Sequence, residues 1–214
     1  MTQMTRNMRR RLHRLSLISG LLALPILSAR AQGTADSVVY TLLPQSHLDV
    51  NTGKSGLLGF VGHKHQIRAR EFHGVVVHFP ANPASSHLSI TVATAGLEVL
   101  TPPDTEEIRK VTASMRDDVM HVDQYPEITF VSRRVTPING GFRVVGALTM
   151  HGQTREVPVD FAVETRGDTL RARANFEVKQ TDYGIKPFRG GPGGSVRVAN
   201  EVKIDIDAVA VRKP

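Results

Sequence analysis

Tyr125-Pro126-Glu127-Ile128-Thr129-Phe130 begins the part of the chain that decides its fold. An Asn139-Gly140-Gly141 turn follows, and then the run Gly146-Ala147-Leu148-Thr149-Met150-His151-Gly152-Gln153-Thr154-Arg155-Glu156-Val157. Asn-Gly supplies the positive φ that a tight hairpin turn needs, and apolar residues alternate with polar ones on both sides of it. These segments therefore predict a β-hairpin in which one face of each strand is covered.

The same two-residue alternation continues through the C-terminal part of the chain. Apolar residues occupy every second position in 157–163, 170–178 and 202–210, and mostly polar or charged residues lie between them. Such a period is typical of strands with one face in water. Five earlier segments are also predicted to be extended: Val38–Leu43, Ser46–Asn51, Leu57–Arg70, Phe72–Phe79 and Leu88–Val99.

One segment departs from the strand pattern. Thr101-Pro102-Pro103-Asp104 ends a strand, and Asp104 with Glu107 resembles a capping box at the start of a helix. Apolar residues then recur at helical spacing at Ile108, Val111 and Met115. About eight strands with a single short helix favour an all-β fold, either a closed barrel or a sandwich, and closure would remove exposed sheet edges.

The same segments resemble a known protein family. The pattern Tyr-Pro-x-Ile-Thr-Phe, a glycine turn and Gly-x-Leu-Thr-x-His-Gly-x-Thr is similar to that of the YceI-like family of secreted bacterial proteins. The resemblance extends to Phe72-His73-Gly74-Val75-Val76, Met115-Arg116-Asp117 and Asp182-Tyr183-Gly184-Ile185. It implies an antiparallel, lipocalin-like β-barrel whose apolar bore binds a polyisoprenoid or a similar long-chain lipid.

Residues 1–31 have the composition of a cleaved export signal. A basic start precedes the apolar run Leu15–Leu27, and Ala29-Arg30-Ala31 offers a cleavage site. The apolar run is shorter than the roughly 20 residues that a membrane-spanning helix needs. We therefore expect a signal peptide over 1–31, one YceI-like lipid-binding barrel domain over 32–214, and a periplasmic or secreted mature protein that begins at Gln32.

The charge of the chain changes when this segment is removed. The whole sequence has 27 basic and 20 acidic residues, a formal balance of +7. Six of the basic residues precede Gln32, namely Arg6, Arg9, Arg10, Arg11, Arg14 and Arg30. The mature chain keeps 21 basic against 20 acidic residues, so no electrostatic argument for nucleic-acid binding remains. Without cysteine, the fold must also be stable without disulfides.

Apolar and aromatic residues of the predicted strands are the candidates for lining a barrel bore. A barrel of about eight strands is wide enough to hold one small ligand. The candidate lining residues are Phe60, Phe79, Phe130, Phe142, Leu148, Phe161 and Phe176. Ordinary core packing is the alternative role for each of them.

The histidines of Gly59-Phe60-Val61-Gly62-His63-Lys64-His65 form a second candidate site. His63 and His65 are two residues apart, so on a strand both imidazoles leave the same face. Three roles stay open for the pair: a metal or haem site, a contact to a ligand head group, or structural hydrogen bonding. Lys64 disfavours a bound cation, and His151 is a further candidate for head-group contact.

No arrangement of residues in the sequence predicts catalysis. Ser46-His47-Leu48-Asp49 contains the residue types of a catalytic triad, but on a strand Ser46 faces away from His47 and Asp49. We therefore expect a binding protein for a quinone or polyprenyl phosphate, with the lipid as its only bound group and transient contact with a membrane or membrane protein. One alternative is a metal- or haem-linked redox accessory protein that uses His63 and His65. Another is a hydrolase or isomerase at the barrel mouth, which only scattered residues favour.

Overall fold

The computed structural model describes residues 36–54, 64–101, 105–190 and 196–214. Within these ranges the chain forms an antiparallel sheet of twelve strands and one short α-helix. The strands are β1 Val38–Leu42, β2 His47–Lys54, β3 Gln66–Ala69, β4 Phe72–His78, β5 His87–Ala93, β6 Leu97–Val99, β7 Glu127–Ile138, β8 Gly141–Met150, β9 Gln153–Arg166, β10 Thr169–Lys179, β11 Arg189–Gly190 and β12 Val196–Arg212. The helix α1, Thr105–Ser114, continues into a π-helical turn, Met115–Met120.

Eight of these strands close into a barrel. Their order around the ring is β1, β4, β5, β7, β8, β9, β10 and β12, and β12 pairs back onto β1. The closing pairs join Tyr40 to Arg212 and Leu42 to Ala210. The predicted closed antiparallel barrel with one short helix is therefore confirmed.

Three pairs of consecutive strands are each separated by a short segment that is not part of a strand. β1 continues into β2, β3 into β4, and β5 into β6, and the series β2, β3, β6 extends the sheet beside β12. The predicted strand Leu88–Val99 is broken by a 3-10 turn at Thr94–Gly96. Of the predicted strand Leu57–Arg70, only β3 can be assigned, because residues 55–63 lie outside the described residues.

Buried hydroxyl groups replace the sheet hydrogen bonds that are lost at these interruptions. Ser46, 2% exposed, donates through Oγ to the Val209 carbonyl at 3.1 Å and accepts from the Val209 N–H at 3.0 Å. Thr94, 1% exposed, donates through Oγ1 to the Tyr125 carbonyl at 2.8 Å. The backbone N–H of Thr94 donates to the Pro126 carbonyl at 2.9 Å. The buried backbone therefore keeps its partners where the strands break.

The hairpin predicted from the quoted segments is present as β7 and β8. The turn Asn139-Gly140 joins the two strands, and Gly140 has φ +74°. Phe130 pairs with Leu148 in its register. The run 146–157, however, covers two strands, because the chain turns at His151-Gly152 and continues as β9.

The buried side chains of the barrel alternate along the strands as the sequence predicts. Buried residues that lie an even number of positions apart include Val157, Val159 and Phe161 in β9, Leu170, Ala174 and Val178 in β10, and Val202, Ala208 and Ala210 in β12. Inside the hairpin, the ring of Phe130 lies across the backbone of Gly146. A Cβ atom at Gly146 would overlap that ring.

The helix lies against the edge of β6, as a cover over one end of the barrel. The Arg116 guanidinium donates two hydrogen bonds to the Leu97 carbonyl, at 3.0 and 2.8 Å. The Val99 N–H donates to Thr112 Oγ1 at 3.2 Å. Met115 in the π-helical turn is buried. The predicted short helix is confirmed, and it is extended by the π-helical turn; no described helix is long and apolar enough to cross a membrane.

Asp49, which the sequence places in a triad-like run, forms an ion pair instead. Its carboxylate accepts two hydrogen bonds from Arg68, both at 2.7 Å, and one from Gln66 at 2.9 Å. Burial by itself would raise the pKa of Asp49, but the Arg68 and Gln66 interactions outweigh it and hold the pKa below its ordinary value. Ser46 is bonded to Val209, so the run forms no catalytic relay.

The contact between Phe130 and Gly146 can be tested by adding a methyl group. We expect Gly146→Ala to lower the free energy of unfolding by about 1–3 kcal/mol, because the new Cβ displaces a buried ring. Denaturant unfolding measures the change. In a Phe130→Leu background the same substitution is expected to cost less. An equal cost in both backgrounds would contradict the assigned contact.

Candidate ligand-binding site

The residues that the structure describes line three cavities inside the barrel. The largest, of about 580 Å³, lies beneath the helix and is called here the helix-end cavity. A middle cavity of about 120 Å³ and a far cavity of about 80 Å³ follow. The helix-end cavity is lined by apolar residues of the strands and the helix, among them Ile67, Val99, Val111, Met115, Val119 and Val202.

Neighbouring cavities share side chains, so they are successive parts of one bore. The helix-end and middle cavities share Val50, Leu97, Ile128, Met150 and Ile204. The middle and far cavities share Ile90, Phe161 and Ile206. Phe161 is 6% exposed. Its ring therefore belongs to the partition that separates the two narrower parts of the bore.

The structure places most of the candidate lining residues at this bore. The middle cavity is lined by Phe130, Leu148, Phe161 and Phe176, and the far cavity by Phe142 and Phe161. Phe79 follows β4 and contacts His87, with ring centroids 6.1 Å apart; it lines none of the three cavities. Phe60 lies outside the described residues.

Polar lining residues are concentrated at the helix end. They are Thr52, His65, Glu107, Lys110, Ser114, Gln180 and Arg197. The middle cavity has one charged lining residue, Asp49, whose carboxylate is occupied by Arg68. The far cavity is bordered by His78 and Ser86, which contact each other at 3.2 Å. A ligand in the bore would therefore meet apolar side chains over its middle and polar groups at either end.

His65 is held firmly at the rim of the helix-end cavity. Its Nδ1 lies 2.7 Å from the Thr101 carbonyl oxygen. Its backbone N–H donates to Thr52 Oγ1 at 3.1 Å, and Thr52 Oγ1 donates back to the His65 carbonyl at 3.3 Å. His63, the other half of the predicted pair, lies outside the described residues.

His151 occupies the turn between β8 and β9 and lines none of the three cavities. Its ring centroid lies 4.1 Å from that of Tyr125 and 5.5 Å from that of His121. Its Nε2 is buried without a hydrogen-bond partner. Burial lowers the pKa of His151, the neighbouring His121 lowers it further, and a hydrogen bond with the Tyr183 backbone opposes this. The net effect disfavours the protonated form of His151.

The described residues contain no group of three or more histidine, aspartate, glutamate or cysteine side chains that could hold a metal ion. The metal alternative of the sequence analysis rests on His63, so its central residue lies outside the described residues.

Some lining residues were missed by sequence reasoning. Ile185 and Phe188 follow a 3-10 turn, Gln180–Tyr183, and both line the helix-end cavity. Their segment has no strand or helix period, so only the fold brings it to the bore. Val111 and Met115 carried a usable signal, because they form the apolar face of the predicted helix.

Comparison with protein families matches this barrel to a known domain. The model of the YceI-like domain matches residues 40–210. The chain belongs to the YceI-like family. The match covers six of the eight barrel strands in full. It also covers the last three residues of β1 and all but the last two residues of β12.

Individual relatives agree with this membership. The protein YceI of Escherichia coli O17:K52:H18 is 27% identical over 127 residues, which are 56% of this chain and 63% of the relative. A UPF0312 protein of Yersinia enterocolitica is 26% identical over 139 residues, 62% of this chain and 69% of the relative. The chain thus spans just under two thirds of the E. coli relative's length.

Solved structures show the same fold at lower identity. Burkholderia cenocepacia BcnA has a TM-score of 0.63 and 22% identity, with 78% of this chain and 96% of the other covered. A polyisoprenoid binding domain from Saccharophagus degradans, implicated in plant cell wall breakdown, has a TM-score of 0.58 and 14% identity, with 81% and 98% covered. Both comparisons support the barrel architecture.

Proposed function

We propose that this chain is a binding protein for a polyisoprenoid or a similar long-chain amphipathic lipid, such as a quinone or a polyprenyl phosphate. The observation that carries the proposal is the apolar bore of three successive cavities. Its shape suits a long, narrow tail better than a compact ligand. The role is binding and not catalysis, and the lipid is the only bound group proposed.

The energetics of the bore favour such a tail. Burial of a methylene group contributes about 0.8 kcal/mol, so an isoprenoid chain gains with each unit that enters the cavities. A polar group without a hydrogen-bond partner loses about 1–3 kcal/mol in the same surroundings. The lining of Phe130, Phe161 and Ile204 offers such a group no partner. The bore therefore selects for apolar tails.

The helix-end cavity is suited to the polar end of the ligand. It has the largest volume of the three cavities and has the polar residues Thr52, His65 and Gln180 in its lining. A lipid would place its polar end here and extend its tail toward Phe161 and the far cavity. The polyisoprenoid binding domain of S. degradans, which shares the fold, supports a lipid ligand of this type.

Lipid binding can be tested by placing a charge in the bore. We expect Phe161→Asp to abolish binding of geranylgeraniol, because the carboxylate would be desolvated beside the tail. Fluorescence competition measures the binding, and circular dichroism checks the fold. Val131→Asp is the matched control, since Val131 is 43% exposed on the outer surface. Unchanged binding in a folded Phe161→Asp protein would contradict the proposal.

Export to the periplasm or the exterior is proposed with this function. The composition of residues 1–31 supports it, and transient contact with a membrane or membrane protein would follow from delivery of a lipid. We expect expression in a Gram-negative host to give a product that begins at Gln32. Intact mass of the periplasmic fraction checks this expectation. A full-length product found only with the membranes would contradict it.

A further inference from the structure

We propose that the polar end of the ligand is a hydrogen-bond donor, such as the hydroxyl group of a prenol, and that His65 Nε2 accepts its hydrogen bond. This inference rests on the proposed function and narrows its ligand to an isoprenoid alcohol, in place of the quinone or polyprenyl phosphate named above. It follows from the hydrogen bonds around His65, which fix the role of each ring nitrogen.

The tautomer of His65 is determined by its partner. Nδ1 lies 2.7 Å from the Thr101 carbonyl oxygen, and a carbonyl oxygen can only accept. Nδ1 must therefore carry the proton. In the neutral imidazole the other nitrogen, Nε2, is then an acceptor with a free lone pair. The hydrogen bonds that His65 makes with other described residues use Nδ1 and its backbone groups.

The ring is also preorganised. Thr101 Oγ1 accepts from the Gln66 N–H at 2.9 Å and donates to the Lys64 carbonyl at 3.2 Å. Thr52 bonds both backbone groups of His65. Residues on both sides of the imidazole are thus fixed to neighbouring segments, so little conformational freedom remains to be lost when a ligand hydroxyl binds.

Most of the other hydrogen-bonding side chains of the rim already have partners. Thr52 Oγ1 is occupied by His65 as both donor and acceptor. Ser114 Oγ donates to Asp118 at 2.8 Å. The Gln180 amide donates one of its two N–H groups to the Ala199 carbonyl at 2.8 Å, so it keeps one donor and its acceptor oxygen. Gln180 can therefore still donate or accept, whereas neutral His65 Nε2 can only accept.

Lys110 is a basic side chain of the cavity lining that already has an acidic partner. It contacts Glu106, which lies outside the lining, with 2.6 Å between Nζ and Oε1. Arg197 and Glu107 both line the cavity and have opposite formal charges. A phosphate dianion would face the lone pair of His65 Nε2, whereas a hydroxyl group would donate to it.

Three ligands with the same tail separate these chemistries. Geranylgeraniol has the donor, geranylgeranyl methyl ether lacks it, and geranylgeranyl phosphate replaces it by an anion. At pH 8 we expect the purified, delipidated protein to bind the alcohol about five- to tenfold more tightly than the ether, which is the effect of one neutral hydrogen bond. The phosphate is expected to bind no more tightly than the alcohol.

Two variants assign the preference to a residue. His65→Phe is expected to bind the alcohol and the ether with equal affinity. His73→Phe, at an exposed position of β4, is the matched control and keeps the preference. A preference that persists in His65→Phe would overturn the assignment to Nε2.

The comparison of the three ligands uses the unmodified protein, so it tests the inference even if His65→Phe does not fold. Equal affinities for the alcohol and the ether, or tighter binding of the phosphate, would overturn the inference and leave lipid binding intact. Failure of all three ligands to bind would instead overturn the proposed function, and the inference with it.

Discussion

The barrel depends on the pairing of both edges of β12. One edge pairs with β10 from Thr169↔Val211 to Lys179↔Glu201. The other edge is divided, because β1 pairs with residues 210–212 and β2 pairs with residues 198–207. A single long strand thus closes the ring and also supports the series β2, β3, β6. β10 and β1 pair with β12 in continuous register, and the pairing with β2 shifts only between Val198 and Val202, so β12 fixes which side chains of these strands face the bore.

The division of this β12 edge between β1 and β2 explains why the bore has its largest cavity at the helix end. At this end of the barrel, β1, β4 and β5 are replaced by β2, β3 and β6. Strand β6 pairs with β3 but not with β7. The helix lies beside β6 instead, held by Arg116 and Thr112. Side chains of the helix and its π-helical turn then line a cavity of about 580 Å³, against about 80 Å³ at the far end. The interruptions of the strands therefore create the space that a ligand head group would occupy.

Much of this fold could be predicted from local patterns. The alternation in 157–163, 170–178 and 202–210 identifies β9, β10 and β12, because a one-residue error would turn every apolar side chain outward. Asn139-Gly140 identifies the hairpin through its turn geometry. The break at Thr94–Gly96 could not be predicted, since Thr94 gains its partners, Tyr125 and Pro126, from a segment about 30 residues away.

The site was less predictable than the fold for the same reason. Alternation indicates that Phe130 and Phe161 face inward, but their place at the middle cavity depends on the closed ring. Phe79 follows the end of β4, where the alternation no longer decides the direction of a side chain. The role of His65 depends on the Thr101 carbonyl, 36 residues along the chain, and no sequence pattern encodes that hydrogen bond.

Native mass spectrometry of the protein purified without detergent tests the central claim most directly. The account predicts a non-covalent adduct at a ratio of one lipid to one chain, and extraction with organic solvent should release a long-chain isoprenoid or a similar amphipathic lipid. Protein that carries no lipid and fails to take one up from liposomes containing prenols would contradict the account.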